Sequence, residues 1–192
     1  SIDIFAEHKG NYSLNDKVFN AHQKCANGND KMVYYVASRF NLPKNFKDMV
    51  YLSQVTQNEC IADATEHWRR NKGRCNGSMY WQLNDCWGVC SWSSIDYYGN
   101  YKALQYGARH FNAPVSVSIE NTEEYIKLFV LNDLKEKQDV TVTYDIFDFV
   151  SGTKQSDKKD VSIDAVKNEL VFELDVKSLA KAYDLKRTGV AV

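Results

Sequence analysis

The chain is poor in proline and has no long apolar segment. Only 2 of its 192 residues are proline, and its net charge is −1, from 24 basic and 25 acidic side chains. No apolar run approaches the roughly 20 residues that a membrane-spanning helix needs. The near-neutral charge gives no reason to expect nucleic acid or an anionic membrane as a partner. With 44% hydrophobic and 26% charged residues, the composition is that of a folded globular protein.

The cysteines are few and irregularly spaced. There are 5 of them, and an odd number without a pairing pattern is typical of a reduced, intracellular protein, so we expect a cytoplasmic location. The spacing Cys86-x-x-x-Cys90 resembles half of a zinc site, but no second Cys or His pair accompanies it. We therefore expect neither a metal nor another cofactor. The amino terminus lacks the features of a signal peptide and looks as if it begins within a longer protein.

The first 113 residues are predicted to be helical around one strand. Apolar residues at three- and four-residue spacing favour a long helix over 46–71. Shorter helices are predicted at 15–24, 30–40 and 101–111.

The long helix carries signals at both ends. Asn45 is the expected N-cap, with Asp48 at the third helical position in a capping-box-like arrangement. Arg69 and Arg70 in the last turn suit the helix dipole, and Gly73 is expected to end the helix.

One strand is predicted between the long helix and the last one. The segment SMYWQL, residues 78–83, is short and nearly uncharged, as strands covered on both faces are. A long loop follows from Asn84 to Asn100. Helix, buried strand, loop and helix make one repeat of an α/β fold, in which ligands bind at the carboxyl ends of the strands.

From Pro114 onward the apolar period changes to two. Several half-buried strands joined by polar turns imply an antiparallel β-sandwich. The lysine-rich stretch 151–160 is interpreted as a solvated turn rather than a binding patch. The alternating segments are 115–119, 126–130, 140–146 and 170–176.

Three of the four tryptophans lie within residues 79–99, beside amide and carboxylate side chains. Sugars present apolar C–H faces and hydroxyl groups, so their sites need aromatic platforms and hydrogen-bonding groups. Trp81, Asn84, Asp85 and Trp87 supply that set at the end of the predicted strand. No nucleophile is evident, because the nearby serines have no neighbouring base.

The segments YWQLNDCW and SWSSIDYYGNYKALQYGARHFNAPV resemble the end of the catalytic barrel in bacterial β-mannosidases of glycoside hydrolase family two. The likeness is dense over residues 42–114. The β-rich segment that follows is similar to the immunoglobulin-like domain behind the barrel in that family. The sequence departs from the family at Gly88, where proline is common, and at Cys90, where a small residue is usual.

The resemblance implies an α/β plus all-β fold. Residues 1–113 would be the last part of a (β/α)₈ TIM barrel, and 114–192 an immunoglobulin-like β-sandwich that is expected to be incomplete by comparison with the family. A barrel takes about 250 residues, so the chain is expected to be a fragment whose partner is the remainder of the barrel polypeptide.

The family are retaining enzymes that use two glutamates, one of them in a motif resembling S-E-[FY]-G. No such motif occurs here, so both catalytic residues are expected upstream of residue 1 and the chain alone is expected to be inactive. Trp81 is expected in the floor of the sugar subsite. Asn84 and Asp85 would bind sugar hydroxyls or orient the groups that do. Trp87 is also expected to bind substrate.

The function implied is that of part of a retaining exo-glycoside hydrolase that removes terminal β-linked mannose from oligosaccharides. One alternative is another exo-β-glycosidase of the same family, such as a galactosidase, glucuronidase or glucosaminidase. The other is a non-catalytic module that binds carbohydrate or has a structural role.

Overall fold

The protein is described by a computed structural model that covers Ser13 and residues 16–192. The predicted helices are present, and each is shorter than predicted; residue 15, where the first was expected to begin, lies outside the described residues. No helix in the described part of the chain combines the length and apolar character needed to cross a membrane. The helices before residue 114 are α1 (Lys17–Ala21), α2 (Gly28–Ala37), α3 (Phe46–Arg70) and α4 (Ala103–Phe111).

The start of α3 is capped as the sequence predicts. Asn45 Oδ1 accepts a hydrogen bond from the backbone N–H of Asp48 at 2.9 Å, and Asn45 Nδ2 donates to Asp48 Oδ2 at 2.7 Å. The cap satisfies an N–H group that has no partner within the helix. Just beyond the end of α3, Gly73 has a φ of 96°, a conformation that favours glycine.

The chain divides into two compact units. The first comprises the chain through Ala64 together with Met79–His110, and the second comprises Thr65–Ser78 and Phe111–Val192. The domain assignment of 1–113 and 114–192 stays a prediction, because compactness does not by itself define a homologous domain.

The segment 78–83 is not a strand. It lies outside every strand of the described chain, and Met79, Trp81 and Leu83 are 97%, 73% and 56% exposed. The prediction of a strand covered on both faces is therefore wrong for this structure. A strand forms where neighbouring segments satisfy its backbone groups along its length. In the described chain the bridge nearest to this segment is the isolated pair Asn84–Ile95.

The second unit contains two three-stranded antiparallel sheets, as the period-two pattern predicts. The strands are β1 (Val115–Asn121), β2 (Tyr125–Asn132), β3 (Gln138–Asp148), β4 (Lys154–Ile163), β5 (Lys167–Asp175) and β6 (Thr188–Ala191). The sheet orders are β1-β2-β5 and β4-β3-β6, and α5 (Val176–Ala182) follows β5 directly.

The core of this unit draws side chains from both sheets. Tyr144 of β3 meets Phe172 of β5 edge to face, with ring centroids 4.7 Å apart. Each fully buried aliphatic side chain contributes about 1.5–3 kcal/mol, so this apolar cluster supplies much of the stability of the unit. Its buried members are Leu128, Val130, Val142, Tyr144, Ile146, Val161, Ile163 and Val171.

The lysine-rich stretch 151–160 is mostly strand, not turn. Residues 154–160 are exposed and pair with β3 at the edge of their sheet. Lys154 Nζ lies 2.9 Å from Asp145 Oδ2 on β3. Charged edge strands of this kind lack the alternation of a half-buried strand, which explains why the sequence pattern suggested a turn.

The last turn of α3 packs against β1 within the second unit. Arg69 Nη1 donates to the carbonyl of Phe111 at 2.6 Å and to Ser116 Oγ at 2.9 Å. Its Nη2 donates to the carbonyl of Ala113 at 2.8 Å and to Asp133 Oδ2 at 2.8 Å. One guanidinium thus joins four points of the chain, which its planar array of donors allows.

Candidate functional site

The tryptophan-rich segment folds as a loop held by backbone bonds. We call residues 81–102 the bridged loop. Its segments 82–85 and 94–95 are joined because Ser94 N donates to Gln82 O at 3.0 Å and Ile95 N donates to Leu83 O at 2.8 Å. Lys102 N in turn donates to Ser94 O at 2.9 Å. Three short segments therefore lie side by side although none belongs to a sheet.

Asp85 is buried inside this loop and fully engaged by neighbours. Its Oδ1 accepts from Ser91 Oγ at 2.5 Å, and its Oδ2 accepts from Ser93 Oγ at 2.6 Å. Lys102 Nζ lies 3.2 Å from Asp85 Oδ2 and 2.7 Å from Ser93 Oγ. The side chain of Asp85 is only 1% exposed. Its carboxylate therefore binds other residues of the loop and does not face solvent.

A second buried carboxylate shapes the tip of the bridged loop. Asp96 Oδ1 accepts from the backbone N–H groups of Tyr98 and Asn100, both at 2.9 Å. Its Oδ2 accepts from Asn100 Nδ2 at 2.9 Å. The arrangement is that of an Asx turn, which fixes a tight reversal of the chain.

Two of the predicted site residues face outward. Trp81 is 73% exposed and Asn84 is also exposed. Asn84 Nδ2 donates to the neighbouring carbonyl of Asp85 at 3.3 Å. The Trp81 ring and the Asn84 amide are therefore both exposed to solvent, whereas the carboxylate of the adjacent Asp85 is buried.

Trp87 is partly covered by other residues of the first unit. Its ring stacks on the imidazole of His22, with centroids 5.1 Å apart and planes 16° apart. Lys24 Nζ lies 5.3 Å from the Trp87 ring centroid, a cation–π distance. His22 Nδ1 also donates to the carbonyl of Gly88. These contacts give Trp87 a packing role within the first unit.

Cys90 carries a thiol with a raised pKa. Burial is the main cause of the rise to about 11; Lys102 and Gln23 lower the pKa, and the Asp85 carboxylate raises it. The thiol is therefore protonated near neutral pH and is not a nucleophile. All five cysteines are free. Within the described residues, no three His, Cys, Asp or Glu side chains converge as a metal site requires.

The first unit also contains an apolar cavity of about 500 Å³. Helices α1, α2 and α3 form most of its wall, and residues 89–92 of the bridged loop complete it. Met32, Val36 and Met49 are among its lining residues. Its surface is dominated by apolar groups, unlike the polar network around Asp85.

The family model of the Mannosidase Ig/CBM-like domain matches residues 124–192. This range contains five of the six strands described above. The two antiparallel sheets are therefore an Ig/CBM-like domain of the kind found in mannosidases.

Among the known proteins that match more of the chain are β-mannosidases. The β-mannosidase of Mus musculus is 33% identical over 179 residues, which are 85% of this chain and 20% of that protein. The β-mannosidase of Bos taurus is 43% identical over 106 residues, covering 48% of this chain and 12% of that protein. The crystal structure of a β-D-mannosidase from Dictyoglomus thermophilum superposes with a TM-score of 0.85 at 29% identity, covering 92% of this chain and 22% of that one.

The chain is thus homologous to a segment of β-mannosidases, as the resemblance predicts. It spans between 12% and 20% of the length of the two mammalian relatives. These comparisons do not test the individual site residues, so the roles of Trp81, Asn84, Asp85 and Trp87 stay predictions.

Sequence reasoning missed the partners of Asp85. Lys102 lies 17 residues from Asp85 along the chain. Ser91 and Ser93 are not part of any sequence motif that identifies them as hydrogen-bond donors to a buried carboxylate. The only hint in the sequence is that three serines and an aspartate occur in one loop rich in apolar residues. Without the fold, this composition does not show which of these side chains bind each other.

Proposed function

We propose that this chain is the part of a retaining exo-β-mannosidase that completes its sugar site. Residues 1–113 would supply the carboxyl-terminal end of the catalytic barrel, and residues 114–192 the immunoglobulin-like domain behind it. The observation that carries the proposal is the alignment of 85% of this chain with a β-mannosidase, which includes the exposed Trp81 in the bridged loop.

Retaining hydrolysis needs two carboxylic acids about 5–5.5 Å apart, one as nucleophile and one as acid/base. The glutamates of α3 do not form such a pair. Glu59 is bound to Arg39 at 2.7 Å, and Glu66 accepts a hydrogen bond from Ser118 at 2.8 Å. In the proposal both reacting acids come from the remainder of the barrel polypeptide.

The residues of this chain would bind and orient the sugar. Trp81 offers an exposed aromatic face against which the C–H face of a mannose ring packs. Asn84 offers an amide that donates to and accepts from hydroxyl groups. Asp85 would act indirectly, because its oxygens are occupied by Ser91, Ser93 and Lys102. Trp87 would border the site as a packed ring.

The experiment is a hydrolysis assay on the complete polypeptide that contains this chain. We expect release of p-nitrophenol from its β-mannoside, with much lower kcat/KM on the β-galactoside, β-glucuronide and β-glucosaminide. Trp81→Ala is expected to lower kcat/KM by about 10- to 100-fold, since a platform contributes to transition-state binding. The matched control is Trp68→Ala, because Trp68 lies outside the bridged loop and is 40% exposed.

Two results would contradict the proposal. Preference for another glycoside in the panel would reassign the substrate, and an unchanged kcat/KM in Trp81→Ala would remove the site assignment. The 192-residue chain alone is expected to release no p-nitrophenol, and turnover by the pure chain would show that the reacting acids lie within it.

A further inference from the structure

The ion pair of the bridged loop is almost completely removed from water. The side chains of Lys102 and Asp85 are 9% and 1% exposed. A buried charge is held by its partners alone, and breaking such a pair leaves an uncompensated charge. The pair therefore tolerates little variation in the positions of the chain segments that carry it.

The network holds the chain on both sides of Trp92. Ser91 and Ser93 flank this residue, and both hydroxyls donate to Asp85, at 2.5 Å and 2.6 Å. The carbonyl of Trp92 itself accepts from Gln57 Nε2 at 2.7 Å. The backbone at Trp92 is thus fixed at three successive residues, while its ring is 43% exposed.

The same network continues to the chain after Trp81. Next to Ser93, the amide of Ser94 donates to Gln82 O at 3.0 Å, and Lys102 N donates back to Ser94 O at 2.9 Å. Lys102 therefore joins the bridged loop twice, through its ammonium and through its backbone. Moving its ammonium would disturb residues 94–95, whose backbone amides bind the segment that follows Trp81.

We propose that Lys102 is a positioning residue for the sugar site. Its ammonium fixes Asp85 and the two serines, and through them it holds the segments that carry Trp81 and Trp92 in one arrangement. This inference rests on the proposed function, because the arrangement matters for activity only if the ring of Trp81 meets a sugar. It adds a residue that touches no substrate and that lies at the start of α4.

The geometric part of the proposal is tested on the 192-residue chain by amide hydrogen exchange. In Lys102→Met, the amides of Ser94 and Ile95 are expected to exchange at least about tenfold faster, since their acceptors lie in the segment that the network holds. The matched control is Leu104→Ala, which removes a fully buried side chain of α4 without touching the network. Both variants are compared at urea concentrations that give equal free energies of unfolding.

Equal exchange at Ser94 and Ile95 in the two variants would overturn the positioning role. Should Lys102→Met not fold, Ser93→Ala is measured instead, because it removes one hydrogen bond from each charge and keeps both charges. It is expected to accelerate exchange of the same two amides by a few fold. No acceleration in Ser93→Ala would also overturn the proposal.

The functional part is tested by a double-mutant cycle on the complete enzyme. Lys102→Met is expected to lower kcat/KM on the β-mannoside by at least about tenfold, but by less than about threefold in a Trp81→Ala background. Losses that multiply would mean that Lys102 does not act through Trp81. A wild-type enzyme inactive on β-mannosides would instead refute the proposed function, and the exchange experiment would then decide the positioning role alone.

Discussion

Gly107 of α4 lies directly against Asn58 of α3. A Cβ atom built at residue 107 would come within 1.6 Å of Asn58 Oδ1, and the carboxamide carbon would be 2.5 Å away. The side chain of Asn58 therefore occupies the space that a Cβ atom at residue 107 would need. Glycine in the middle of a helix normally costs about 0.5–1 kcal/mol relative to alanine, and close packing explains its use here.

Gly107→Ala is expected to destabilise the chain by about 1–3 kcal/mol, the usual cost of overpacking, despite the better helix propensity of alanine. Asn58→Ala in the same chain should relieve most of that loss, because the clash is with the carboxamide. Urea denaturation of the two single variants and the double variant measures the coupling. Gly77→Ala is the control, since nothing lies within 4 Å of its added Cβ. Simple additivity of the two changes would disprove the contact.

Arg69→Lys is expected to lower the free energy of unfolding by about 1–3 kcal/mol. The lysine ammonium cannot reproduce the fork that reaches Phe111, Ala113, Ser116 and Asp133, so buried carbonyl groups lose their donor. Arg187→Lys serves as the comparison, because Arg187 is 47% exposed and is expected to lose less stability than Arg69. Thermal or urea unfolding of both variants provides the measurement, and equal losses would rule out a special role for Arg69.

Asp133 is expected to make the stability of the second unit depend on acid pH. Its partial burial favours the neutral acid, but Lys72 and Arg69 outweigh this and lower its pKa in the folded state. The stabilisation is therefore complete above the unfolded-state pKa of about 3.9 and is lost as the pH falls through the lower folded-state pKa.

The test of this linkage compares the wild-type chain with Asp133→Asn by urea denaturation between pH 2 and pH 7. Above about pH 4 the wild-type should be the more stable, and the difference should shrink at lower pH. Other carboxylates with lowered pKa values remain in both proteins, so only the difference is diagnostic. A difference that stays constant down to pH 2 would contradict the assignment.

Cys90 is expected to be among the last thiols to react with iodoacetamide at pH 7.5. Its pKa of about 11 leaves almost no thiolate at that pH, whereas Cys60 and Cys86 are exposed to reagent. Peptide mapping by mass spectrometry after timed labelling measures the order. In denaturant all five thiols should react at similar rates, and rapid labelling of Cys90 in the native chain would show that the loop opens readily.

The periodic parts of the fold were predictable from the sequence. Apolar spacing and the Asn45 cap located α3, and period-two alternation located most strands of the two sheets. These signals are local, since each depends on residues within one turn of helix or one strand. The edge strand β4 was missed because its residues 154–160 are all exposed, so burial leaves no alternating pattern there.

The composition of the proposed sugar site was also visible in the sequence, because the tryptophans, amide and acid of the bridged loop stand within a few residues of one another. Which of them faces outward was decided by tertiary structure. Trp81 is exposed, whereas Asp85 is enclosed by a lysine 17 residues away that arrives only when α4 is in place. Local periodicity records which face of an element is apolar, but the pairing of a buried charge depends on contacts between segments distant in the chain, and no local pattern encodes those.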